Sequence, residues 1–308
     1  MKNLSEGKKM WFSVMAIFIF YAIIFIMFED YDRKAFEPLN EISDWHLLIF
    51  TIVIMTILGL LLIRYAKRMD ERIKNEQEMK QTLMRRQLTQ NISHELKTPV
   101  ASILGYTETI VSNPDMPQET KNRFIERTQL QAQRLATLLN DLSILNRVDY
   151  APQVISMQRV NVSQVVADIV QDVDIAIKTK HMTLNNYLPE DIIINGNESL
   201  IYSIFSNLID NSLNYAGENA IIDIHAYEEE ENSWLFKFCD NGEGVAEEHL
   251  QHLFERFYRI DNSRSRSMGG TGLGLAIVKN AVLQHGGSIS VTNRKEGGLE
   301  FTFTLKKQ

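Results

Sequence analysis

Asn207-Leu208-Ile209-Asp210-Asn211-Ser212-Leu213-Asn214-Tyr215 places three asparagines at i, i+4 and i+7, the spacing that aligns them on one face of an α-helix. The opposite face carries Ile201, Ile204, Phe205, Leu208 and Leu213, so a helix from Glu198 to Tyr215 has an apolar side to bury. Asparagine is a poor helix former. Three in line mark either a lined polar site or a solvent-facing stripe. Amide oxygens suit Mg²⁺, a hard ion that shares its shell with substrate phosphates.

Outward from this helix, short β-rich runs alternate with helical ones. Strands are expected at Thr183 to Leu188, Ile192 to Asn195, Ala220 to Tyr227, Trp234 to Cys239, Ser288 to Asn293 and Leu299 to Leu305. Further helices are expected at Ser163 to Lys180, Glu247 to Leu253 and Leu273 to His285. The alternation predicts a two-layer α/β sandwich over residues 151–308. Asp240-Asn241-Gly242-Glu243-Gly244 follows the strand ending at Cys239, so the Asp240 carboxylate sits at a strand end and can accept a hydrogen bond from an exocyclic amine. Gly269-Gly270-Thr271-Gly272-Leu273-Gly274-Leu275 opens a helix, where bare amides and the positive end of the macrodipole favour phosphate. It has neither the Gly-Lys-Ser/Thr of a P-loop nor the G-x-G-x-x-G form. Each glycine cluster alone is also compatible with an ordinary turn.

Upstream, residues 64–112 are rich in helix formers, with no glycine before Gly105. Leu88, Ile92, Leu96, Ile103, Tyr106 and Ile110 approximate a 3-4 spacing. Asn113-Pro114-Asp115-Met116-Pro117 breaks the helix, and a second runs from Gln118 to Arg147 with Leu135, Leu138, Leu142 and Leu145 on its stripe. Such a hairpin cannot bury its apolar face alone, so two copies are expected to form a four-helix bundle as a homodimer. Within it stands Ser93-His94-Glu95-Leu96-Lys97-Thr98-Pro99. His94 lies about 200° from Ile92 around the helix and faces solvent. Glu95 can take one ring nitrogen and leave the other free to attack, and Thr98 sits one turn further on. A surface His beside a Glu also occurs as a plain solvated pair.

Two apolar runs precede all of this: Trp11 to Phe28, 18 residues without a charge, and Trp45 to Ile63, 19 residues whose one ionisable group is His46. Each is long enough for a hydrocarbon core of about 30 Å. Lys2, Lys8 and Lys9 precede the first run, and Arg64, Lys67, Arg68, Arg72 and Lys74 follow the second, whereas residues 29–44 carry six acids against Arg33 and Lys34. The positive-inside rule then puts both termini in the cytoplasm and the short loop outside. Sixteen residues cannot hold a folded ligand-binding domain, so the signal is expected to arise in the membrane or from a partner membrane protein. A net charge of -7 argues against direct nucleic-acid binding. The lone Cys239 excludes an internal disulfide and a cysteine-rich zinc site.

Taken in order, the His94 block, the asparagine helix, the Asp240 loop, Phe254-Glu255-Arg256-Phe257-Tyr258-Arg259 and the glycine loop closely resemble a bacterial two-component sensor histidine kinase across residues 88–308. The resemblance implies a membrane anchor (1–63), a helical linker (64–87), a dimerisation and phosphotransfer domain (88–150) and a Bergerat-type ATP-binding domain (151–308) of the gyrase and Hsp90 class. It implies that His94 accepts phosphate, with Glu95 as acid/base partner and Thr98 orienting water in the reverse, phosphatase reaction. Asn211 would be the magnesium ligand and Asp240 the adenine-selecting carboxylate. Around the ATP it implies Asn207, Asn214, Tyr215, Gly242, Gly244, Phe257, Arg259, Gly270, Thr271, Gly272, Leu273 and Gly274. The partner implied is a cytoplasmic response regulator. Position 214, usually Lys or Arg in the family, is Asn here, which leaves phosphate neutralisation to Arg259, Arg264 or Arg266. Related ATPases carry a glutamate at position 207 to activate water. An amide cannot act as a base, so transfer to His94 is expected rather than hydrolysis.

Overall fold

The computed structural model describes Ile19 and residues 44–150, 155–229, 232–260 and 270–307. The chain divides into two compact units, 1–87 and 88–308. Helix α1 (Asp44–Ser112) begins in the first and is continuous through Pro99. Along it, Ile52, Ile54, Ile57, Leu58, Leu60 and Leu61 are exposed. Among the described residues no helix is long and apolar enough to cross a membrane. The run Trp11 to Phe28 lies outside the described residues apart from Ile19, as do most side chains of 45–50.

In the second unit the 113–117 turn closes with Met116 N–H donating to the Asn113 carbonyl at 3.1 Å and leads into α2 (Gln118–Tyr150). Tyr106 stacks on Phe124, centroids 5.5 Å apart, and Arg134 reaches Glu95 at 3.3 Å. These contacts run in opposite sequence directions, so the hairpin is antiparallel. Leu138, Ile144 and Leu145 are buried, while Leu104, Ile125, Leu130 and Leu139 remain exposed.

The rest of the unit comprises β1 (Gln158–Asn161), α3 (Val162–Asp172), α4 (Asp174–Thr179), β2 (Thr183–Tyr187), β3 (Ile193–Gly196), α5 (Glu198–Tyr215), β4 (Ile221–Glu229), β5 (Ser233–Asp240), α6 (Glu247–Leu250), α7 (Gly274–Gln284), β6 (Ile289–Asn293) and β7 (Leu299–Lys306). Five strands form one sheet in the order β2-β4-β5-β7-β6, parallel only between β2 and β4, and β1 pairs antiparallel with β3. Alternation in β7 is strict: Leu299, Phe301, Phe303 and Leu305 point into the core and the residues between them do not. Phe205 of α5 packs edge-on against Phe236 and Phe303, which stack on each other at 5.1 Å. The sheet and the α5 layer thus make one core, a two-layer α/β sandwich.

Three elements differ from expectation. Strand β1 carries one buried apolar residue, Val160, too little pattern to announce it; its partner β3 supplies the ladder. The helix expected over Ser163 to Lys180 breaks at Val173, whose ψ of -1° leaves helical values. Helix α6 stops at Leu250 and continues as turns, with His252 N–H donating to the His249 carbonyl.

One buried histidine ties α7 to the start of α5. His285, 5% exposed, donates from Nδ1 to the Ala281 carbonyl at 2.7 Å and accepts the Asn197 N–H on Nε2 at 3.0 Å. Asn197 is the N-cap of α5, its side chain accepting from Leu200 N–H at 3.1 Å. Burial pushes the His285 pKa below its ordinary 6.5, against the opposing pull of the Ala281 carbonyl. A histidine whose folded pKa is depressed stabilises the fold above the unfolded value and loses that contribution as pH falls through it, because the unfolded chain takes a proton the folded one refuses. Denaturant unfolding is expected to show stability declining below pH 6.5, with a slope of at most about 1.4 kcal/mol per pH unit from this group. A His285→Gln variant should lack that component; an unchanged slope would refute the assignment.

Candidate functional site

Asp240, last residue of β5, is 4% exposed. Its Oδ2 accepts the Ser212 hydroxyl at 3.1 Å, and its Oδ1 accepts Gly242 N–H at 3.0 Å and Leu299 N–H at 3.2 Å. Three donors from three segments fix the carboxylate plane; Oδ1 has both its acceptor sites filled, and Oδ2 keeps capacity for one more donor. Close approach of β7 depends on Gly298: at φ +87°, a Cβ there would meet the Asp240 carbonyl oxygen at 2.1 Å.

Ser212 adjoins Asn211, so this bond brings the asparagine helix beside the strand end. Five residues earlier, at Asn207, the same helix meets the glycine loop. Asn207 Nδ2 donates to the Ser203 carbonyl at 2.7 Å, which turns Oδ1 outward to the start of α7. A Cβ on Gly274 would meet that oxygen at 2.5 Å, so any larger residue there would push the Asn207 amide aside. Asn211 and Asn214 are half-buried on the same face, and Tyr215 ends the helix half-exposed. Phe257 N–H donates to the Gly272 carbonyl at 2.7 Å from a left-handed backbone, φ 64°, a conformation that costs an L-residue energy and persists only where its surroundings enforce it. The Arg259 guanidinium donates to the Gly270 carbonyl. Arg264, Arg266 and Gly269 lie outside the described residues.

The hairpin contributes to the same region through three carboxylates. Glu95 pairs with Arg134 at 3.3 Å and with Arg259 at 3.6 Å. Asp141 accepts the Thr271 hydroxyl at 2.8 Å, and that hydroxyl accepts Leu273 N–H at 3.2 Å. Asp149 pairs with Arg256 at 2.7 Å. Burial raises the Asp141 pKa, partly offset by the Thr271 bond and assisted by nearby Asp210. His94 and Thr98 stand on an exposed face, the Thr98 hydroxyl donating to the His94 carbonyl at 3.3 Å. Among the described residues no side-chain hydrogen bond or ion pair joins His94 to the glycine loop. Cys239 is no rival nucleophile, because burial foremost, with Glu300 beside it, pushes its thiol up to about 11.

Ser212, Arg134 and Asp141 were not singled out from the sequence. Asp141 left a trace there: three residues after Leu138 and four before Leu145, it is a carboxylate on an apolar stripe.

Residues 84–151 match the His Kinase A (phospho-acceptor) domain and residues 196–308 the histidine kinase-, DNA gyrase B- and HSP90-like ATPase. The chain is 34% identical over 224 residues to the phosphate regulon sensor protein PhoR of Haemophilus influenzae, covering 73% of this chain and 52% of PhoR. It is 32% identical over 221 residues to the sensor-like histidine kinase SenX3 of Mycolicibacterium smegmatis, covering 72% and 57%. The chain thus spans about half the length of the curated relatives it matches. In fold it is similar to the Acinetobacter baumannii histidine kinase AdeS, TM-score 0.58 at 22% identity over 70% of this chain and 98% of that one. It is also similar to the histidine kinase ThkA in its complex with the response regulator protein TrrA, TM-score 0.57 at 21% identity over 72% and 61%. With a phospho-acceptor hairpin and a nucleotide-type sandwich in one unit, the chain belongs to the two-component sensor histidine kinases.

Proposed function

We propose that the chain is an ATP-dependent protein-histidine kinase that transfers the γ-phosphoryl group of ATP to His94 and from there to an aspartate of a cytoplasmic response regulator. The observation that carries this reading is the direct ion pair between Glu95, neighbour of His94, and Arg259 of the nucleotide module, which links acceptor and donor halves within one unit.

The residues fit an adenine nucleotide with a magnesium ion. Asp240 is buried, oriented by three donors and able to take the exocyclic amine. Asn207 Oδ1 faces the cradle that a Cβ on Gly274 would fill, and Asn211, one turn on, would hold the ion. Magnesium would neutralise charge developing on the phosphate oxygens. Gly270, Thr271, Gly272, Leu273 and Gly274 receive the phosphates at the amides opening α7, and Gly242, Gly244, Asn214, Tyr215 and Phe257 complete the surroundings of the nucleotide. A ring nitrogen of His94 attacks phosphorus, the bond to the β,γ-bridging oxygen breaks, ADP leaves, and Glu95 takes the proton from the other ring nitrogen. Thr98, one turn along the same exposed face, orients water for the reverse dephosphorylation of the regulator.

The membrane reading belongs to the same proposal. The exposed apolar residues between Ile52 and Leu61 support a span at 45–63, and the uncharged run Trp11 to Phe28 supports one at 11–28, in the bacterial cytoplasmic membrane, both termini inside, with the signal arising in the membrane or from a partner membrane protein. The exposed Leu104, Ile125, Leu130 and Leu139 support a homodimer through a four-helix bundle. Incubating the full chain in membranes with γ-labelled ATP tests the enzyme. Label that is acid-labile and base-stable is expected; acid-stable label would reassign the chain to serine or threonine phosphorylation.

A further inference from the structure

Asp141 is an anomaly in its helix, a carboxylate 8% exposed among Leu138, Ile144 and Leu145. Its partner is Thr271, in the middle of the glycine loop and 130 residues away. The Thr271 hydroxyl in turn caps Leu273 N–H, so the carboxylate stands at the mouth of α7, where unsatisfied amides and the macrodipole draw anions. Arg259, the described cation nearest the loop by its bond to the Gly270 carbonyl, is ion-paired with Glu95 of the same hairpin. Two groups suited to a phosphate are therefore engaged by carboxylates of the phosphotransfer hairpin. A third tie holds the same two bodies together away from the loop: Asp149 accepts from Arg256 and, at 3.4 Å, from Asn280.

We propose that Asp141 is a positioning residue that sets nucleotide affinity through Thr271: while its carboxylate holds the hydroxyl, the loop is satisfied by an internal anion, and a nucleoside triphosphate binds by displacing it. The inference rests on reading the glycine loop as the phosphate site. A carboxylate and a phosphate are both acceptors and both negative, so they compete for one hydroxyl and repel each other across it. Coupling of this kind is reciprocal: nucleotide loosens the docked hairpin, and loosening the hairpin tightens nucleotide.

The test is the affinity of the full chain, in detergent, for a non-hydrolysable ATP analogue with Mg²⁺. Asp141→Ala is expected to bind it about 5-fold or more tightly than wild type, the lower end of ordinary coupling. Asp149→Ala, which leaves the loop untouched, is expected to shift affinity in the same direction. The sign separates this from a merely structural role, since a carboxylate needed to shape the loop would weaken binding when removed. Amide hydrogen exchange over residues 138–149 is expected to rise when the analogue is added to wild type. Unchanged or weaker binding by folded Asp141→Ala overturns the proposal; if that variant fails to fold, unchanged or weaker binding by Asp149→Ala overturns it instead. No binding by wild type would remove the reading of the site itself, a different result from binding that neither variant alters.

Discussion

His94→Gln is expected to lose all acid-labile phosphate while keeping wild-type affinity for nucleotide. Glutamine retains polarity and much of the length of the imidazole but has no nitrogen lone pair to attack phosphorus. The position is exposed and lies on α1, so the substitution opens no cavity and orphans no buried group, and stability should stay within about 0.5 kcal/mol of wild type. Labelling by γ-labelled ATP in membranes, beside calorimetric titration with an ATP analogue, checks both halves. Residual acid-labile label at wild-type level would place the acceptor elsewhere in the chain.

Asp240→Ala is expected to damage nucleotide binding and the fold together. It leaves the Ser212 hydroxyl and the Gly242 and Leu299 amides without their acceptor, and an unsatisfied buried donor costs about 1 to 3 kcal/mol. The adenine amine loses its partner by the same substitution, so affinity should fall roughly 5- to 150-fold. Asn211→Ala, by contrast, removes a proposed metal ligand on a half-buried face and should reduce phosphoryl transfer more than binding. Titration of each variant with Mg·ATP analogue and with the guanine counterpart separates the two, because discrimination between the bases should collapse for Asp240→Ala alone. Wild-type affinity and selectivity in Asp240→Ala would remove Asp240 from the site.

How much was legible follows from which forces act locally. The 3.6-residue spacing around Asn207, Asn211 and Asn214 marked α5, which begins at Glu198 and ends at Tyr215 as expected. A β-rich run marked most of β7, and Pro114 with Pro117 marked the turn between the hairpin helices. Backbone hydrogen bonding, side-chain periodicity and breaker residues act over a few positions, so they are written in neighbouring letters. Strand β1 was silent because its ladder comes from β3, more than thirty residues on.

The candidate site divides along the same line. Sequence by itself determined the kinds of group available: an imidazole beside a carboxylate, a row of amides, a carboxylate at a strand end, and glycines opening a helix. Only the tertiary structure decided their partners. Ser212 shares Asp240 across 28 residues, Thr271 meets Asp141 across 130, and Glu95 takes both Arg134 and Arg259. Such pairings form when the sheet order and the burial of Phe205, Phe236 and Phe303 bring distant segments together. The energy of a hydrogen bond or ion pair then depends on desolvation and geometry at the meeting point, which no short stretch of sequence contains.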